Sequence, residues 1–232
     1  MLFRQLFDRD SSTYTYLVAD EVSGAAALID PVDVHHDMYL RLLQELGLTL
    51  SYALDTHVHA DHVTALGVLR ESTGCSTLVG FEGEVDCATE GLEDGKVIDV
   101  GSVRVNVLFT PGHTDDSFCF VVEDGSQTYL FSGDTLFIRG TGRTDFQNGD
   151  PGQLYDSLHT KVLTLPADTL VYPGHDYKGW TVSTIDEEIR MNPRLEPETR
   201  EEFIELMNNL DLPDPKMMDV AVPANRACGL KN

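Results

Sequence analysis

The densest chemistry in the chain lies in Thr56-His57-Val58-His59-Ala60-Asp61-His62, where three imidazoles and a carboxylate fall within six positions. Imidazole nitrogen and carboxylate oxygen suit zinc, iron or manganese, so this inventory predicts a transition-metal site. A straight strand sends neighbouring side chains to opposite faces, whereas a turn lets them converge. Three further candidates each follow an apolar run and a glycine: His113 in Thr110-Pro-Gly-His, Asp134 in Phe131-Ser-Gly-Asp and His175 in Tyr172-Pro-Gly-His. Strands would deliver all three to one sheet edge, and glycine permits the tight turn that aims the next side chain inward. Taken singly, each is an ordinary turn residue; the pattern repeated after separate strands is what carries the reading.

The elements around these residues are legible as alternating patterns. Residues 2–7 and 13–18, rich in aromatic and β-branched side chains, read as paired strands, and 25–29 as a third. Apolar positions 40, 42, 43 and 46 predict an amphipathic helix over 38–46, stopped by Gly47. Residues 52–56 read as a buried strand and 63–69 as a helix, which places the histidine cluster at the turn between them. Further strands are expected at 103–109, 118–122, 129–131 and 169–172, and a helix at 154–163. From Thr184 onward, acidic first turns predict one or two peripheral helices. The tail from Leu212, with Pro213, Pro215 and Pro223, reads as an extended segment.

Composition narrows the classes of partner. The 232 residues suffice for one large domain, and 41% hydrophobic content argues against disorder. Sixteen Lys and Arg face 39 Asp and Glu, a formal net charge of −23. Such a surface repels phosphate backbones and anionic headgroups, so no nucleic acid and no membrane is expected as a partner. The N-terminal residues lack a signal pattern and no apolar run approaches the length of a membrane span, so a soluble, cytoplasmic protein is expected. Cys75, Cys87, Cys119 and Cys228 form no CxxC pair, which predicts reduced thiols, the first three as small core residues. His35, His36 and His159 lie in charged or polar stretches and read as solvent-facing.

The string His-x-His-x-Asp-His, followed by separated His, Asp and His, resembles the signature of the metallo-β-lactamase superfamily over residues 14–177. The resemblance implies an α+β fold, the αββα four-layer sandwich, in a single domain over 1–232 with its metal site at one edge of two sheets. It also implies hydrolysis or oxidation, since the fold alone does not choose. In dinuclear hydrolases of this kind His57, His59 and His113 would hold one ion, Asp61, His62 and His175 a second, and Asp134 would bridge. A two-zinc thioesterase resembling glyoxalase II, cleaving S-lactoylglutathione, is therefore the alternative.

The block from Ser132 to Gln147, containing Gly142-Arg-Thr-Asp-Phe-Gln147, is more specific, and Pro173-Gly-His-Asp-Tyr-Lys-Gly179, Ala221-Val-Pro-Ala-Asn225 and Cys228-Gly229 accompany it. Together they resemble the persulfide dioxygenases. That resemblance implies one Fe(2+) per subunit, held by His57, His113 and Asp134, with His59, Asp61, His62 and His175 orienting the ligands from behind. It implies oxidation of glutathione persulfide by O2 and water to sulfite and glutathione. Arg143 would bind a glutathione carboxylate and Tyr177 add a hydroxyl contact, with Arg139 and Lys178 flanking the site. A homodimer, a functional link with rhodanese or sulfide-oxidising enzymes, and a mitochondrial matrix location in a eukaryote follow from the resemblance alone.

Overall fold

The computed structural model describes residues 1–80, 83, 85, 87–213 and 217–230. Its first six-stranded sheet runs in chain order: β1 (Leu2–Phe7), β2 (Tyr14–Ala19), β3 (Ala25–Ile29), β4 (Thr49–Leu54), β5 (Ser76–Gly80) and β6 (Glu90–Leu92). β1 to β3 pair antiparallel; from β3 onward the pairing is parallel. Parallel neighbours need a crossover, and α1 (His36–Leu46) and α2 (Leu66–Thr73) supply the first two. α1 ends at Gly47, whose φ of 67° is the left-handed cap that the sequence predicts.

The second sheet holds β7 (Val97–Val100), β8 (Val103–Phe109), β9 (Phe118–Asp124), β10 (Gln127–Gly133), β11 (Leu170–Pro173) and β12 (Ser183–Thr184), again adjacent in chain order. Only β10 and β11 are parallel, and α3 (Pro151–Ser157), continuing as a π-helical turn over Leu158–Val162, makes that crossover. In β8 the period-two pattern buries Val103, Val105 and Val107 and exposes Arg104.

Three apolar clusters set the layers. Tyr16, Ile29 and Leu54 of the first sheet meet Val105, Phe120 and Phe131 of the second between the sheets. Leu17 and Leu28 pack outward with Leu43 of α1 and Leu66 and Leu69 of α2. Leu130 and Val171 pack outward with Leu154 of α3 and with Phe203 and Met207 of α5 (Arg200–Asn208). Each such fully buried side chain is worth about 1.5–3 kcal/mol. The result is the αββα sandwich that the resemblance implies. α4 (Ile185–Met191) carries Asp186, Glu187 and Glu188 in its first turn, and α5 opens on a Thr199–Glu202 capping box.

Three expectations are corrected. The tail is not simply extended: α6 (Met218–Arg226) forms there with Pro223 inside it, burying Ala221 and Asn225, while Pro215 lies outside the described residues. Cys87 and Cys228 are joined in a disulfide, Cα atoms 6.0 Å apart across 141 residues of chain, whereas Cys75 and Cys119 are buried free thiols. Sequence spacing carries no sign of that pair, because α6 folds back to make it. His35 and His36 are half-buried and partnered, to Asp8 Oδ1 at 2.9 Å and Ser72 Oγ at 2.9 Å. His159 is exposed and stacks on Tyr155.

Candidate metal centre

The histidine loop leaves β4 and ends at α2, and the other candidates leave β8, β10 and β11 at the same edge of the two sheets. Cross-links between the sheets fix that edge: Phe118 N donates to Thr56 O at 2.8 Å, and Tyr14 N to Gly174 O at 2.8 Å. The preceding glycines are required for two different reasons. Gly112 and Gly133 have φ of 141° and 48°, and a Cβ on Gly133 would sit 2.7 Å from Thr56 Oγ1. Gly174 has no such torsion, but a Cβ there would lie 2.6 Å from Asp134 Oδ1.

Two groups of donors converge. Ligand atoms of His57, His113 and Asp134 lie within 4.8 Å of one another, and so do those of His59, Asp61 and His175. This partition differs from the dinuclear one described above, because His59 falls with Asp61 and His175. His62 stands beside them, its ring 4.3 Å from that of His59.

Hydrogen bonds draw the imidazole protons away from the centre. Thr56 Oγ1 donates to Asp30 Oδ2 at 3.0 Å, so it accepts from His57 Nδ1 at 3.0 Å and leaves His57 Nε2 bare. His113 Nδ1 donates to the Arg143 carbonyl at 2.6 Å, and His175 Nδ1 to the Ser12 carbonyl at 3.3 Å. His59 Nε2 donates to Asp30 Oδ1 at 3.1 Å and His62 Nδ1 to Asp61 Oδ2 at 2.8 Å. The buried atoms His59 Nδ1, His62 Nε2 and Asp134 Oδ1 have no hydrogen-bond partner. A buried polar atom without a partner is costly, so His62 Nε2 and Asp134 Oδ1 fit a cation as they stand, and His59 Nδ1 does so once its proton is lost.

The charges of the two groups differ. Burial, with His59 and His113 adding repulsion, holds His57 well below the ordinary imidazole value, so it is a neutral donor. Burial works to lower His59 too, but the charge and hydrogen bond of Asp30 outweigh it and lift His59 to about 10. Burial likewise opposes the rise of His175, which Asp134 and Asp61 bring about. Burial alone would raise Asp61; His175 and His62 more than offset it and hold Asp61 well below the usual carboxylate range.

A cavity of about 670 Å³, within the range of small-molecule sites, opens onto His113, Asp134 and His175. Phe137, Ile138 and Leu212 form apolar wall, and exposed Tyr177 stands at the rim, its ring parallel to that of His175 at 6.0 Å. Arg143 lines the cavity but gives Asp145 two hydrogen bonds, at 2.7 and 2.8 Å, and the Pro213 carbonyl a third at 2.7 Å. Arg139 is bound by Glu188 and Glu187, so its role is to tie the cavity wall to α4.

Several working residues lie outside the expected set. Asp30, with φ of 51°, holds Thr56 and His59 together, and Asp116 Oδ2 accepts from Val58 N at 2.8 Å. Thr13 Oγ1 reaches Asp61 Oδ2 at 3.0 Å. From α6, Asn225 Nδ2 donates to the carbonyls of His59 and His62 at 2.9 and 2.8 Å, and its Oδ1 accepts from Thr64 N at 2.8 Å. Asp30-Pro31 reads locally as a turn; Asn225 belongs to a string quoted above, without a role attached.

Residues 8–175 match the model of the metallo-beta-lactamase superfamily. The mouse protein named persulfide dioxygenase ETHE1, mitochondrial, is 47% identical over all of this chain and 90% of its own length. The chain belongs to the persulfide dioxygenase family. A crystal structure of ETHE1 from Myxococcus xanthus superposes with a TM-score of 0.94 at 54% identity, covering 99% of this chain and all of that one. TTHA1623 in a di-iron-bound form gives 0.67 at 31% identity, over 82% of this chain and 98% of that one. No described helix is long and apolar enough to cross a membrane.

Proposed function

We propose that this enzyme of the persulfide dioxygenase family oxidises glutathione persulfide with dioxygen and water to sulfite and glutathione, using a single ferrous ion at His57, His113 and Asp134. The observation that carries the reading is that the ligand atoms of this two-histidine, one-carboxylate set lie within 4.8 Å of one another and that two of the three, His113 and Asp134, line a cavity of substrate size. Ferrous iron bound there supplies the one-electron chemistry that lets dioxygen react with a spin-paired sulfur.

The chain's own contribution is orientation and exclusion of water. Thr56 Oγ1 and the Arg143 carbonyl fix the tautomers of His57 and His113, so both present Nε2. Asp30 and Asn225 hold the histidine loop from behind. Phe137 and Leu212 shield one side of the cavity, which favours a thin, polarisable sulfur chain over bulk water. Arg143, tied to Pro213, holds the loop that bounds the cavity, and Tyr177 offers its hydroxyl at the rim. The substrate thus enters tail first, with the tripeptide left along the wall.

Iron-loaded protein should consume oxygen only when glutathione persulfide is added, and zinc-loaded protein should leave S-lactoylglutathione intact. No oxygen uptake together with rapid thioester hydrolysis would overturn the reading in favour of a dinuclear thioesterase.

A further inference from the structure

Oxidation of a persulfide anion by dioxygen and water breaks the S–S bond and forms three S–O bonds. The terminal sulfur gives up four electrons, dioxygen takes them, and the oxygen of water becomes the third oxygen of sulfite. Both protons of that water are set free. One neutralises the departing thiolate; the other must leave a site where His57 and Asp134 are buried and the substrate fills the way in. Asp61 faces this site, lining a second cavity of about 410 Å³ that also touches His57, His113 and Asp134.

Behind Asp61 an unbroken row of short contacts runs to the surface. Thr13 Oγ1 donates to Asp61 Oδ2 at 3.0 Å, and Ser11 Oγ lies 2.7 Å from Thr13 Oγ1. Ser11 Oγ donates to Asp8 Oδ2 at 2.6 Å, and Asp8 Oδ1 meets His35 Nε2 at 2.9 Å. Thr13 and Asp8 are buried, while the His35 side chain is 33% exposed. The turn that carries the row is closed by Asp8 N on the Thr13 carbonyl at 2.9 Å and by Ser11 N on Asp8 Oδ2 at 2.8 Å. Two longer contacts reach Thr13 Oγ1, from Nδ1 of His62 at 3.3 Å and of His175 at 3.4 Å, but those protons are directed at Asp61 and the Ser12 carbonyl.

Between the two carboxylates there are three oxygen–oxygen contacts and only two hydroxyl protons. Thr13 gives its proton to Asp61 and Ser11 gives its own to Asp8, so the middle contact has none and the row is one proton short. A proton arriving at Asp61 completes it: Asp61 then donates to Thr13, Thr13 to Ser11 and Ser11 to Asp8. One shift along the row moves the charge to Asp8 and restores Asp61. Burial would raise the pKa of Asp8, but Ser11 and His35 more than offset it and hold this carboxyl below its ordinary value, so the proton passes on to His35.

We propose that Asp61, Thr13, Ser11, Asp8 and His35 form the proton exit of this enzyme, carrying the proton that water releases at the metal edge to the His35 imidazole and from there to solvent buffer. The proposal rests on the reading of the site as one where water is consumed beside Asp61. Hydroxyls suit the middle of such a row because each accepts one proton while giving another. Imidazole suits its outer end, being the side chain that exchanges protons most readily with buffer near neutrality.

The test is oxygen uptake at saturating glutathione persulfide by the full, iron-loaded chain in dilute buffer, with and without 2,6-lutidine, a small base whose methyl groups keep it off iron. His35→Ala should lower kcat about tenfold at unchanged iron content, less than the roughly 10²- to 10⁴-fold that a positioned proton-transfer group contributes. Lutidine should return kcat to within about twofold of wild type, because the diffusing base takes over the outer end of the row. Thr13→Val should lose as much and gain nothing from lutidine, since it cuts the row inside the protein, whereas Thr13→Ser keeps the hydroxyl and the rate. Full kcat in His35→Ala, or a loss that lutidine leaves untouched, would overturn the proposal. Neutron diffraction from crystals soaked in D2O tests the row without turnover: the Ser11 and Thr13 deuterons should both lie within it, and a deuteron turned out of it refutes the relay. A wild type that takes up no oxygen refutes the reaction instead. Thioester hydrolysis also frees a proton from water, so S-lactoylglutathione hydrolysis by the zinc-loaded protein that depends on His35 and is rescued by lutidine then upholds the relay, and hydrolysis indifferent to His35→Ala refutes it.

Discussion

His57, His113 and Asp134 form one trio and His59, Asp61 and His175 another, each of two imidazoles and a carboxylate, yet they are prepared for different work. In the first, Asp134 Oδ1 makes no hydrogen bond, its nearest charged neighbour being His175 Nε2 at 3.5 Å, and His57 is neutral. In the second, Asp61 already accepts from Thr13 and His62, and His59 keeps its proton against Asp30. The same inventory thus reads as an open ligand set on one side and a charge-compensated scaffold on the other. Counting donors does not give the number of ions; what each carboxylate already binds does.

The contrast predicts unequal responses. Asp134→Ala should lose bound iron and lower oxygen uptake by at least about 10³-fold, since two histidines alone are a weak site, while Asp61→Ala should keep about one iron per chain. Metal analysis of both variants decides this, and iron lost equally from both would erase the distinction.

Metal titrations at two pH values sharpen it. A second zinc ion at the His59 trio must displace the proton that His59 keeps up to about 10, so its affinity should rise with pH, about tenfold per unit and about 100-fold between pH 7 and 9. The first ion meets an already neutral His57, and its affinity should change far less over that interval. Calorimetry at both pH values separates the two isotherms.

Next in size, Asp30→Asn keeps a residue that tolerates the left-handed backbone but removes the charge behind Thr56 and His59. Removing such a supporting group lowers metal affinity or activity about 10- to 100-fold, readable by competition with a chelator. Smallest, Arg143→Ala removes the tie to Pro213 but leaves the carbonyl that orients His113. Iron content should hold while KM rises a fewfold, within the usual worth of a hydrogen bond. Loss of iron in this variant would show that the side chain, and not only the carbonyl, supports the first trio.

What could be read beforehand was local. A strand, a glycine and a His or Asp lie within a few residues of one another, so His113, Asp134 and His175 declare themselves. Asp30 does not, because its role comes from β3 lying beside β4, which sets the residue after one strand against the loop after the other. Asn225 and the Cys87–Cys228 pair arise from α6 folding back over more than a hundred residues, a distance that no spacing rule spans. Pro223 disguises that helix, since proline lacks the N–H a helix interior uses.

A short helix far along the chain from a site is commonly dispensable, because little depends on it. Here the clasp contributed by Asn225 makes α6 a working part of the histidine turn some 160 residues upstream, and the neighbouring sulfur bridge moors that helix. Excising the helix would leave both sheets whole and far-ultraviolet spectra nearly normal, while the backbone of the turn lost its grip. A shortened product of this kind would pass a folding assay and arrive without its metal.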